Sequence, residues 1–267
     1  MTPITRGQRL AGSREGSALV LLATAFGGWG LIVLAFPAAR SAVIPTAYAV
    51  PVLLMAALIL SIRILLVGSQ PLSYGLLIAG ISFVGGGVAF DIFATVIHSP
   101  NLEREANPVA RLLLDSGHST GFVYLYGGFC QIAFASLICL LWGGLLRHRK
   151  SIVDSVRKST SLLQLLKALT GGARLTWRQW ICPLKLSDLP DFSYYVWIMA
   201  SMWVPGAAYR WYLGLEWFGF SPVDSIYVGI IAMLTGIVAY VIWVHREVQR
   251  ANRELQTNGQ SACAIAE

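Results

Sequence analysis

Long apolar stretches separated by short polar ones dominate the chain. Six of them reach the roughly 20 residues a helix needs to cross a hydrocarbon core about 30 Å thick. They cover residues 17–36, 47–67, 72–98, 121–146, 192–213 and 222–244. Their ends are marked by Pro37, by Gly68, by Ser99-Pro100, by the run Arg147-His148-Arg149-Lys150 and by His245-Arg246-Glu247. Inside lipid, backbone groups can pair only within a helix or a closed barrel. Barrel strands would alternate apolar and polar positions, and these runs are continuous. The pattern predicts an all-α integral membrane protein, a bundle of six transmembrane helices.

The same pattern divides the chain. Residues 1–16 form an N-terminal tail, 17–146 hold helices one to four, 147–191 a polar loop, 192–244 helices five and six, and 245–267 a C-terminal tail. A signal peptide competes for the first stretch, with Arg6, Arg9 and Arg14 as its basic region. Its apolar run, at about 20 residues, exceeds the usual 7–15, and the cleavage position near Ala38-Ala39 lies beside Pro37. A retained helix is predicted.

Composition sharpens this picture. Hydrophobic residues make up 56% of the 267 and charged residues 12%, about half the roughly 25% of a soluble domain. That excludes a disordered chain, a collagenous one and a disulfide scaffold, and it argues against a soluble globular enzyme. Charge then sets orientation. With the N-terminus inside, 16 of the 20 Lys and Arg fall on the inner side, and Arg40, Arg104, Arg111 and Arg210 on the outer. By the positive-inside rule this puts both termini and the 147–191 loop in the cytoplasm, and the protein in a bacterial cytoplasmic membrane. Arg63, about four residues from the inner end of its helix, can snorkel to the headgroups. The net charge of +7 suits the anionic inner leaflet of the lipid bilayer, and no nucleic-acid partner is needed to explain it. Trp177 and Trp180 near the inner face, and Tyr209, Trp211, Tyr212 and Trp217 near the outer, read as an aromatic belt.

Within the basic loop, Ile152, Val156, Leu163, Leu166 and Leu169 recur at spacings of four, seven, three and three, with Arg157, Lys158 and Lys167 interspersed. This predicts a short amphipathic helix lying in the interface, stopped by Gly171-Gly172. A helix that docks a membrane-protein partner is the alternative. The tail from residue 252 reads as polar and frayed. Cys130, Cys139, Cys182 and Cys263 form no CxxC pair, so neither a disulfide framework nor a thiolate metal site is indicated.

One polar cluster stands out. Charges inside spans are rare and are functional candidates by default. Asp91 lies seven residues before His98, roughly 10 Å along the axis, and Thr95 and His98 share its helical face. Gly85-Gly86-Gly87 precedes it, with Ser82-x3-Gly86 and Gly85-x3-Ala89 as small-x3-small pairs. These favour close approach to a neighbouring helix and turn Asp91 toward the bundle interior. In the outer loop, Asn107 before Pro108 reads as an N-cap with Pro at the first helical position. Glu105, Arg111 and His118 complete the polar rim.

Asp91-x3-Thr95 followed by Glu105-x-Asn107-Pro108 resembles a pattern in small prokaryotic polytopic membrane proteins of unknown function. The resemblance covers about residues 72–146. It implies a polytopic membrane protein with a polar site of Asp91, Thr95, Glu105 and Asn107, and it brings no activity with it.

Four readings follow for a site on the outer face centred on Asp91. It is structural, with Asp91 paired to Thr95, a backbone amide, or an arginine such as Arg111 or Arg210. It is a metal-dependent hydrolase or transferase, with Asp91 and Glu105 as catalytic carboxylates, Thr95, Asn107 and Arg111 as binding groups, and His98 and His118 as ligands of a divalent metal. Against the full metal set, residues at i and i+7 of a straight helix are about 10.5 Å apart. It is a proton- or cation-coupled transporter, with a Pro205-Gly206 kink in helix five. Or the chain is an accessory subunit that binds another membrane protein.

Overall fold

The computed structural model describes Glu15, Ala18, Leu19, Leu22 and residues 47–68, 70–104, 107–157, 161–169, 193–220 and 222–265. These residues form α1 (Ala49–Val67), α2 (Tyr74–His98), α3 (Pro108–Asp115), α4 (Thr120–Val156), α5 (Leu162–Leu169), α6 (Ser193–Gly206), α7 (Ala208–Trp217) and α8 (Ser225–Ile265). Four helices, α1, α2, α4 and α8, are long and apolar enough to cross a membrane, and the chain is an integral membrane protein. The first expected span, 17–36, lies outside the described residues apart from Ala18, Leu19 and Leu22. Gly171-Gly172, Trp177 and Trp180 also lie outside them.

The fifth apolar stretch is two helices. Pro205 has no N–H to donate and its ring crowds the carbonyl of Ser201. The helix ends at Gly206, turns at Ala207 and restarts as α7. α7 closes at Gly219, whose φ of 85° is open to glycine, with the Phe220 N–H reaching back to the Leu215 carbonyl (3.2 Å).

Two helices overrun their expected ends. The basic run at 147–150 does not stop α4, because Arg and Lys are good helix formers. Its side chains serve the end of α1. Arg147 donates to the Gly68 carbonyl, the Arg147 carbonyl accepts from Gln70 N (3.1 Å), and His148 Nε2 is bonded to the Ile64 carbonyl (2.9 Å). These bonds satisfy helix-terminal carbonyls that would otherwise lack partners. The expected interfacial helix is thereby split. Ile152 and Val156 belong to α4 and are buried with Val244 and Val248. α5 carries the rest in a different phase, for Leu165 is buried and Leu163 exposed. The tail expected to fray continues as α8 to Ile265. Arg157 anchors it, donating to Asn252 Oδ1 (3.1 Å) and to the Ala251 carbonyl (3.0 Å).

α4 is the most enclosed of the four spans and α8 the least. α1, α2 and α6 all pack on α4, α7 lies on α2, and α8 lies on α6. Ile226, Ile230, Leu234, Val238 and Ile242 of α8 stay exposed at four-residue spacing. So do Val52, Met55, Ile59, Ile62 and Leu66 of α1. Such stripes would aggregate in water and are at rest against acyl chains. Arg63 is 65% exposed and pairs with Glu15 (3.5 Å).

Candidate functional site

The site begins with two glycines of α2. A Cβ on Gly86 or Gly87 would collide with the indole of Trp211, so their bareness lets α7 lie against the C-terminal half of α2. Trp211 Nε1 donates to the Phe83 carbonyl (2.8 Å), and Phe90 fills the space left by Gly214. The expected close approach is therefore made at Gly86 and Gly87; Gly85 has nothing near it. Trp211 and Tyr212 face protein here, a correction to the belt reading. Tyr212 is buried and its hydroxyl accepts from Val223 N (3.0 Å) while donating to the Val223 carbonyl.

This crossing sets Asp91 opposite Arg210. Arg210 Nη1 donates to Asp91 Oδ2 at 2.7 Å, with the Asp91 side chain 9% exposed and that of Arg210 30%. Of the partners considered for Asp91, the structure selects Arg210. Thr95 Oγ1 donates to the Asp91 backbone carbonyl (2.9 Å), not to its carboxylate. His98 faces the same helix, stacked on Trp217 (6.1 Å) and edge-on to Phe218 (4.7 Å). Its Nε2 is buried without a hydrogen-bond partner.

Among the described residues, the other expected members make no bond to the Asp91–Arg210 pair, although Asn107 lines the same cavity as Arg210. Asn107 caps α3 by accepting from Val109 N (2.9 Å), with Pro108 at the first helical position. Arg111 donates to the Glu103 carbonyl. His118 Nε2 is bonded to the Tyr48 hydroxyl (2.5 Å), and its ring stacks on Phe122 (4.6 Å). Glu105 lies outside the described residues. The loop is held down by its own core of Leu102, Leu113 and Val123 and by Tyr124, whose hydroxyl donates to the Ser99 carbonyl (2.9 Å). Among the described residues, no three His, Cys, Asp or Glu side chains stand close enough to hold a metal ion. Asp91, His98 and His118 each have separate surroundings. The Asp91–Arg210 pair is thus built by α2 and α7.

Beside the ion pair lies a cavity of about 550 Å³, within the roughly 300–1,000 Å³ usual for ligand sites. Arg210, Asn107, Tyr126, Gln131, Trp203 and Met199 are among the residues that line it. Gln131 was missed in the sequence. Its side-chain oxygen is buried and has no partner, and its signal is a lone amide in the middle of an otherwise apolar span. Compared with known proteins, the chain matches no family model, no curated protein and no solved structure.

Proposed function

We propose that this chain is a six-helix protein of the bacterial cytoplasmic membrane that binds a lipophilic molecule at a polar site on its outer side, centred on Asp91. In this reading both termini are cytoplasmic, α6 and α7 together make the fifth span, and the basic inner segments hold to the anionic leaflet. One observation carries the binding role. Arg210 belongs to two places at once, bonded to the Asp91 carboxylate and lining the cavity. Asp91 therefore acts as a positioning residue, fixing the guanidinium at the cavity wall and balancing its charge.

The cavity favours binding over the other chemistries. Its wall is mostly apolar, with a few placed polar groups, as in sites that take small lipophilic ligands. An ion pair occupies the one deep acid, which a proton or cation carrier would leave free to exchange.

The test is retention. Purified protein should carry a stoichiometric lipophilic molecule, detected by native mass spectrometry. Asp91→Asn and Arg210→Gln should each lower its occupancy at least about tenfold, the loss of one charged hydrogen bond, in protein that still inserts. Equal occupancy in both variants, or none in the wild type, overturns the reading.

A further inference from the structure

Trp203 and Arg210 stand on either side of the break between α6 and α7, and both line the cavity. Neither side chain has an acceptor atom; indole and guanidinium only donate. Arg210 gives Nη1 to Asp91. Among the described residues, its Nε and Nη2 and the Trp203 Nε1 have no hydrogen-bond partner, yet all three keep accessible surface. In apolar surroundings such donors are left for a ligand to meet.

The acceptors nearby are mostly in use. At the break, the Trp203 and Val204 carbonyls accept from Ala207 N (3.1 and 3.2 Å). The Ala207 carbonyl accepts from Arg210 N (2.9 Å) and Trp211 N (3.3 Å). Asn107 Oδ1 accepts from Val109 N, and Gln131 Oε1 is sealed within the protein. No Asp or Glu is among the described residues of the wall. The hydroxyls of Tyr126 and Tyr209 can serve in either role and so do not discriminate.

Charge narrows the ligand further. Arg210 is the one charged side chain in the described wall, and Asp91 neutralises it. The wall offers no net charge to repay the desolvation of an anion. A cation would bring donors and a second positive charge to a wall of donors. What fits is a neutral head that accepts and does not donate.

We infer that the cavity binds a neutral lipophilic carbonyl compound, a ketone, ester or quinone whose C=O oxygens accept from Arg210 and Trp203. The inference deepens the reading above and rests on it, since the neutrality of the wall is the work of Asp91.

The probe is a long-chain 2-alkanone carrying a diazirine, photolysed on the full-length protein in lipid nanodiscs. Label should fall on residues of the cavity wall. Unlabelled ketone should compete about tenfold better than the alkane of equal length, the margin of one charged hydrogen bond. It should also compete better than the acid, and better than the alcohol, which would bury an O–H unmet. Trp203→Phe keeps a ring against Phe134 and should narrow the margin over alkane. Arg210→Met should erase most of it, and so should the double variant Asp91→Asn/Arg210→Met, which strands no charge and keeps the test open if the single variant fails to fold. The mass of the molecule retained by the purified protein then tells ketone, ester and quinone apart. Equal competition by ketone and alkane, alcohol or acid as the best competitor in the wild type, or a ketone margin that survives the double variant each overturns the inference. Asp91→Asn alone leaves the guanidinium unbalanced and should turn the preference from ketone to acid. If the ketone margin holds in the wild type but Asp91→Asn leaves it unchanged, the ligand class stands and the reading centred on Asp91 fails.

Discussion

Asp91 and Arg210 hold each other inside an apolar bundle, and the cost of parting them is asymmetric. Removing one partner strands the other, for about 1–3 kcal/mol or more when the stranded group is charged. Removing both leaves two neutral groups. We expect Asp91→Asn and Arg210→Gln each to destabilise the protein, and the double variant to lose less than their sum, with a coupling of about 1 kcal/mol or more in a melting cycle in detergent. Additive losses would show that the two side chains act independently. Asp91 was legible in the sequence because a carboxylate inside a span has so few explanations. Its partner was legible only as one of several arginines, since the choice is made by a helix crossing that no local spacing encodes. Thr95 and His98 do share the face of Asp91, as their spacing requires, yet sharing a face did not mean sharing a ligand.

At the scale of elements, the break between α6 and α7 has the widest consequence. Pro205 and Gly206 end one helix and allow the next to restart against α2, which carries Arg210 to Asp91. On the other side of the break, Gly236 of α8 receives the Ser201 carbonyl and the Pro205 ring, with no room for a Cβ. Gly236→Ala should force α6 and α8 apart and cost about 1–3 kcal/mol of overpacking, read as a lower melting midpoint. An unchanged midpoint would mean that the crossing yields freely. Pro205-Gly206 was visible in the sequence as a kink. The overruns of α4 and α8 were not, because hydropathy marks where lipid ends and a helix can continue into water. The amphipathic stripe at 152–169 was misphased for a related reason: Ile152 and Val156 face α8, a neighbour that periodicity alone cannot supply.

For the whole molecule, the question is which way it is threaded. The 16 to 4 division of Lys and Arg is a statement about translocation, and it survives the finding that several of these charges have protein partners. Arg147 binds the Gly68 carbonyl and Arg157 binds the α8 backbone, yet both lie on the expected inner side with the basic segments. Asp115 and Ser151 are exposed, on α3 and on the inner extension of α4 respectively. With the four native cysteines replaced, Asp115→Cys should react with a membrane-impermeant maleimide in intact cells. Ser151→Cys should react only after the membrane is opened. The two sites lie on either side of the α4 span, so one experiment reports both ends of the same helix. Label at Ser151→Cys in intact cells, with Asp115→Cys protected, would invert the topology. Asp91 and Arg210 would then sit nearer the cytoplasmic leaflet, and the ligand would reach its cavity from the inner side.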